Sequence, residues 1–215
     1  MSNFGLSTEV PNSRYMKKVM TIVLISLIVV TVSQSRAQQK QMQCGQWRWD
    51  VKTLTDREGS ALLNAKPVST GFDQFLQAQA PRKMDKTNKA DKIQPRFPSE
   101  KEVVEITAYI TSITVTEKDH DFLMVLKSPL TELTCFAELP NPDCVTFDKF
   151  PEQRKLFSKV WKDLVPIMDK ISGNNRPVKV KIKGIPFWDV PDGERGASST
   201  GLEIHPVLNV VVVTD

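Results

Sequence analysis

The sequence predicts a mainly β protein with one helix: a five-stranded OB-type Greek-key barrel (β-β-β-α-β-β) preceded by an irregular N-terminal arm. Three observations predict it. From Val104, apolar residues alternate with polar ones, slip by one position after Ile110, and resume at Ile113 and Val115. A period of two marks a half-buried strand, and one slip in phase is what a β-bulge produces where a long strand bends round a barrel. Val178, Val180 and Ile182 alternate strictly with Lys179, Lys181 and Lys183, and the strand patterns fall as three, then a helix, then two.

The remaining elements follow in order. Thr116 to Asp121 is a polar turn, Phe122 to Leu126 a second strand, and Leu133 to Leu139 a third, stopped by Pro140-Asn141-Pro142. In the third strand Cys135 shares a face with Leu133, Ala137 and Leu139, so Phe136 points outward. The helix starts at Pro151, with Leu156, Phe157, Val160, Trp161, Leu164, Met168 and Ile171 at helical spacing. Gly173 suits its C-terminal cap, and Pro166 predicts a kink or a split. A turn-rich segment, Pro186 to Gly201, precedes the last strand, Glu203 to Val213, with Pro206 placed to suit a strand entry. Residues 38–100 form the arm: Gln46 to Thr55 reads as β-prone, and Ala78 to Glu100 as an extended, exposed connection. The barrel domain is 101–215.

Residues 1–37 read as a secretory signal peptide, with a possible start at Met16. Lys17 and Lys18 precede Val19 to Val32, an apolar run of 14 residues that is too short for a comfortable bilayer span of about 20. Small residues at Ser35 and Ala37 predict cleavage before Gln38, which points to a secreted or periplasmic protein with no transmembrane segment after processing. The leader also carries most of the positive charge. The chain has 29 Lys+Arg and 25 Asp+Glu; the leader takes four basic residues and one acidic, leaving 25 and 24. That balance lacks the basic excess of a nucleic-acid binder, so a protein or small ligand is the expected partner. Of the three cysteines, Cys135 belongs to a strand interior, which makes Cys44–Cys144 the first candidate disulfide and Cys135–Cys144 its competitor. With no C-x-x-C or other zinc spacing, no metal site is expected from the cysteines.

Trp49-Asp50-Val51-Lys52-Thr53-Leu54-Thr55-Asp56, Glu138-Leu139-Pro140-Asn141-Pro142-Asp143-Cys144, Phe187-Trp188-Asp189 and Gly201-Leu202-Glu203-Ile204-His205-Pro206-Val207-Leu208 occur in that order. Together they resemble the W-x-V-K-T-x-x-D, E-[IL]-P-x-P-x-C, F-[FW]-D and G-[IL]-E-[IL]-H-P-V motifs of an uncharacterised family of exported bacterial proteins. The resemblance implies that family and no activity. Where the family often has a histidine in strand two and a His-Gly pair in the last long loop, this chain has Leu123 and Asp192-Gly193.

Glu203 and His205 are two apart on a strand and share a face. With Asp189 from the preceding loop and Lys52 and Asp56 from the N-terminal motif, they are the candidate catalytic cluster. Such a cluster either binds a divalent metal for phosphodiester hydrolysis or is an ion-pair network that holds the loop in place. A ligand on the second and third strands and their flanking loops would meet Lys118, His120, Phe122, Phe136, Trp188 and Arg195. The lysine row 179/181/183 reads equally as a basic stripe or as a solvated outer strand face. The expected function is therefore an exported, non-enzymatic binding module needing no cofactor. A metal-dependent phosphodiesterase or nuclease on the same barrel is the alternative, and a divalent metal is expected only there.

Overall fold

The computed structural model describes residues 44–45, 47–117, 119–145, 149–191 and 193–214. The expected leader, Lys118 and Asp192 lie outside the described residues. The arm contains α1 (Trp49–Lys52), α2 (Gly59–Leu63), β1 (Val68–Ser69), α3 (Phe72–Leu76) and α4 (Lys89–Lys92). The barrel follows as β2 (Val104–Val115), β3 (Phe122–Lys127), β4 (Thr134–Leu139), α5 (Pro151–Asn174), β5 (Val178–Trp188) and β6 (Leu202–Val212). β2, β3 and β4 form an antiparallel meander. β6 lies parallel to β4, and β5 pairs antiparallel with both β6 and β2, which closes the five-stranded barrel. β1 adds two residues in parallel to the start of β2.

The bulge falls where the phase slip predicts it: the β2–β3 register shifts between Ile110 and Ser112. Ile106, Ala108, Ile110, Met124, Leu126, Ala137, Val180 and Ile182 fill the interior, each large aliphatic side chain gaining about 1.5–3 kcal/mol by leaving water. A second irregularity lies between β5 and β6 at Gly184. A Cβ there would meet Ile204 Cγ2 at 2.2 Å and the Pro206 carbonyl oxygen at 2.8 Å, so only glycine lets the strands approach. Pro206, whose bond to His205 is cis, sits within β6 opposite this irregularity and not at a strand entry; a broken ladder asks for no amide hydrogen there.

α5 runs unbroken through Pro166. Pro166 and Lys162, whose carbonyl loses its partner, are both exposed, so water can satisfy that oxygen. The helix ends two residues later than Gly173 suggests, on Asn175 in the left-handed region (φ 50°), whose amide bonds Ile171 O at 2.8 Å. β5 extends to Trp188, into the segment read as turn-rich.

The arm departs furthest from expectation. Within the stretch read as β-prone, residues 47–55 hold the short helix α1, because Arg48 (φ 45°) turns the chain and sets its first turn. The segment read as an exposed connection buries Met84, Asp91, Arg96, Phe97 and Glu100. Its anchors are polar and aperiodic, which hides them from a hydrophobic pattern. Arg48 donates from Nε to Gln94 O (3.0 Å), from Nη1 to Glu100 Oε1 (2.8 Å) and Trp188 O (3.1 Å), and from Nη2 to Pro95 O (3.1 Å) and Glu100 Oε2. Glu100 also accepts the amides of Phe97 (2.8 Å) and Trp188 (2.9 Å). The arm is thus fastened to the end of β5 by a fully buried, fully bonded ion pair.

Cys44 and Cys144 form a disulfide across 100 residues of sequence, and Cys135 is a buried free thiol that burial pushes well above its ordinary pKa. Among the described residues no helix is long and apolar enough to cross a membrane.

Two outcomes follow from this architecture. Replacing Glu100 by Ala should cost about 3–5 kcal/mol by urea denaturation, since it strands a buried guanidinium. The double change Arg48→Leu/Glu100→Leu should not restore stability, because the backbone groups of Gln94, Pro95, Phe97 and Trp188 then lose their partners. Thiol titration should find no reactive group in the native protein and one on unfolding, and the Cys44→Ala/Cys144→Ala variant should be about 2–5 kcal/mol less stable.

Candidate functional site

The four peptides singled out in the sequence gather at one place on the barrel. α1 carries Lys52 one turn beyond Arg48, and the Lys52 amide bonds the Arg48 carbonyl at 3.1 Å. The Arg48 clamp therefore fixes where Lys52 stands. Its Nζ lies 3.7 Å from Asp189 Oδ2, 3.8 Å from Glu138 Oε2 and 4.0 Å from Glu203 Oε1, and 4.9 Å above the Phe187 ring centre. Lys86 reaches Asp189 Oδ1 at 3.8 Å. His205 is fully enclosed, with Nδ1 3.0 Å from Glu138 Oε2 and 3.3 Å from Glu203 Oε1.

These charges control one another. Burial alone would release a proton from Lys52, but Glu138, Asp189 and Glu203 together raise its pKa and keep it charged. Burial would likewise protonate Glu138, yet Lys52 and His205 pull it down to about 2. Glu203, buried beside the charged Glu138, is pushed up to about 7. Asp121, enclosed at the head of β3, is also pushed up to about 7 by burial, against the pull of His205 and of the Asn141 amide. For His205, burial and Lys52 oppose the charged ring, but Glu138 and the two hydrogen bonds outweigh them and raise its pKa.

The cluster is the floor of an open cavity of about 520 Å³. Lys52, Glu138, Asp189 and Glu203 line it from below; Trp47, Leu123, Phe136, Val190, Pro191 and Leu202 supply apolar walls; and Lys86, Glu117, Asp119 and Glu194 add charge. β3 and β4 present Leu123, Phe136 and Glu138 outward while Cys135, Ala137 and Leu139 point into the barrel. The cavity thus spans the outer face of the second and third barrel strands and the loops after β2 and β5, where OB-type barrels take ligands.

The structure brings Lys52, Asp189, Glu203 and His205 together. Asp56 is elsewhere: both its carboxylate oxygens accept from Arg96, at 2.9 and 2.8 Å. Among the described residues read as a ligand face, only Phe136 lines this cavity. Trp188 is buried, its indole N–H donating to Ser99 Oγ at 2.9 Å, and Phe122 stacks on Trp161 inside the fold at a centroid distance of 3.8 Å. His120 is exposed on a left-handed turn (φ 59°), Arg195 is exposed, and neither lines the cavity. Glu138 and Asp121 were missed. Glu138 shares its strand parity with Phe136, so the outward reading of Phe136 already implied it; Asp121 carries no such signal.

No protein-family model matches the chain, and no curated protein matches it. Among solved structures it is similar to the OBody AM2EP06 bound to hen egg-white lysozyme, at 14% identity and a TM-score of 0.33, covering 53% of this chain and 81% of that one. It is also similar to a putative aspartyl-tRNA synthetase from Leishmania major Friedlin, at 15% identity and a TM-score of 0.38, covering 70% of this chain and 21% of that one. For Entamoeba histolytica asparaginyl-tRNA synthetase the values are 13%, 0.32, 53% and 21%. The chain spans about a fifth of the length of either synthetase.

Removing the central cation tests the network. Lys52→Met should lower stability by about 1–3 kcal/mol in urea denaturation, because Glu138, Asp189 and Glu203 then face one another half-buried. Asp189→Asn should cost less, since Lys52 keeps two other partners.

Proposed function

We propose that this protein is an exported binding module whose ligand is a small amphipathic cation, held in the cavity between the Lys52 floor and the Trp47–Phe136 wall. The observation that carries the reading is the cavity's composition. Its volume is in the range of small-molecule sites. Its lining sets Glu117, Asp119, Glu138, Asp189, Glu194 and Glu203 against Lys52 and Lys86, an acidic excess beside aromatic and aliphatic side chains. A ligand with one apolar end and one ammonium or guanidinium end matches both halves. Secretion or residence in the periplasm accords with the leader pattern and with the Cys44–Cys144 disulfide, which persists in an oxidising compartment.

The phosphodiesterase reading fits this geometry less well. His205 is walled off behind Glu138 and Glu203, where it cannot touch a substrate, and the acidic lining repels a phosphodiester. Family membership rests on the four motifs alone, and their gathering round one cavity supports treating them as one functional unit.

Phenethylamine and phenylacetate, which share a ring and differ in charge, separate the possibilities. Titrated into the protein and followed by the Trp47 indole N–H in NMR spectra, phenethylamine should bind saturably with a Kd on the order of 1 mM, and Phe136→Ala should weaken it at least fivefold. Equal or tighter binding of phenylacetate, or no saturable response to either, overturns the cationic assignment. Metal-dependent cleavage of DNA or RNA that disappears in a folded Glu203→Ala variant would replace the binding module with the nuclease.

A further inference from the structure

Behind the cavity floor, Asp121 and His205 carry buried polar atoms that neither the cavity nor the Lys52 network satisfies. β3, β4 and β6 are neighbours in the barrel, with Phe122 opposite Leu139 and Ala137 beside Ile204. That register delivers Asp121, which precedes Phe122, Glu138, which pairs with Leu123, and His205, which follows Ile204, to a single spot. One donor atom of each lies within 4.8 Å of the others. The three come from rigid strands or strand ends, as a preformed coordination site requires.

Two atoms in this cluster are enclosed and unpartnered among the described residues: Asp121 Oδ2 and His205 Nε2. Asp121 is 1% exposed and uses only Oδ1, which accepts the Asn141 amide at 2.7 Å. A buried carboxylate oxygen without a donor is rare in folded proteins and calls for an unseen water, proton or ion.

We propose that Asp121, Glu138 and His205 form a site for one divalent cation of the zinc or manganese type. Two carboxylates and one imidazole suit those ions better than calcium, which prefers oxygen alone, or copper(I), which prefers sulfur. Glu138 also lines the cavity, so a bound ion would be reached from that side and complete its coordination with water. The site does not depend on the ligand proposed for the cavity.

The test uses the untagged protein, stripped with EDTA, desalted and titrated with Zn²⁺ or Mn²⁺. The chain has two histidines, His120 on the surface and His205 in the core, so imidazole ¹⁵N resonances separate specific from adventitious binding. One equivalent of Zn²⁺ should shift the His205 nitrogens and leave those of His120 unchanged, and should raise Tm by several degrees. Asp121→Asn keeps the oxygen that accepts the Asn141 amide and should weaken Zn²⁺ at least tenfold; Glu138→Gln serves where that variant does not fold. Glu132→Gln, at a solvent-exposed carboxylate, should change nothing. No uptake, shifts confined to His120, or undiminished affinity in the folded Asp121→Asn or Glu138→Gln protein each overturn the proposal.

Discussion

The arrangement depends on one buried ion pair. Arg48 has five N–H donors, and all five are used: two on Glu100 and three on the carbonyls of Gln94, Pro95 and Trp188. Burying two charges is costly, and such a pair breaks even only when every donor and acceptor is satisfied. Here that condition is met by backbone groups drawn from the arm and from the last residue of β5, so the pair can form only when both are in place. The Phe187 and Phe97 rings flank the guanidinium, 4.6 and 5.1 Å from its carbon, and keep water out. Arg96 repeats the device at smaller scale by tying Asp56 to the Val51 and Glu100 carbonyls. With Val51, Leu54, Leu62, Phe72, Phe75, Met84 and Phe97 also buried, an arm of short helices becomes a fixed part of the barrel.

The site inherits its geometry from that clamp. Lys52 follows Arg48 by one helical turn, so its position over Glu138, Asp189 and Glu203 is a consequence of where Arg48 is held. A lysine among three carboxylates keeps its proton despite burial, and the carboxylates then divide the remaining charge unequally. Glu138, closest to His205, stays ionised, while Glu203 tends to the protonated form. The floor is therefore polarised from within, before any ligand arrives.

What was legible in the sequence follows the range of the interactions. The barrel could be read because its strands are local patterns: the slip after Ile110, the lysine alternation of β5 and the helical stripe of α5 each sit within a few residues. Glu203 and His205 could be paired because strand parity is local too. The arm could not be read, since Arg48 meets Glu100 and Trp188 across 52 and 140 residues with no apolar period to betray it. Trp188 was misplaced for a related reason: an aromatic in a loop-like stretch looks exposed, but β5 continues to it. Asp121 looked like one acid among several in a polar turn; only the fold puts it beside His205.

The loop from Asp189 to Gly201 decides how the cavity is walled. It is closed at its base by the Asp189 amide on the Gly201 carbonyl, at 2.9 Å. Gly201 has φ 78°, and a Cβ there would strike the Asp189 carbonyl oxygen at 2.3 Å. Gly196 has φ 102° and packs so close to Val125 and Phe136 that a side chain would need both to move. Both glycines let the loop lie tightly on the β3–β4 face, which gives an otherwise flat sheet surface one wall of the open cavity. The floor is set by an ion network of the arm, β4 and β6, whereas Val190, Pro191, Glu194 and Ala197 bring the loop to the cavity wall.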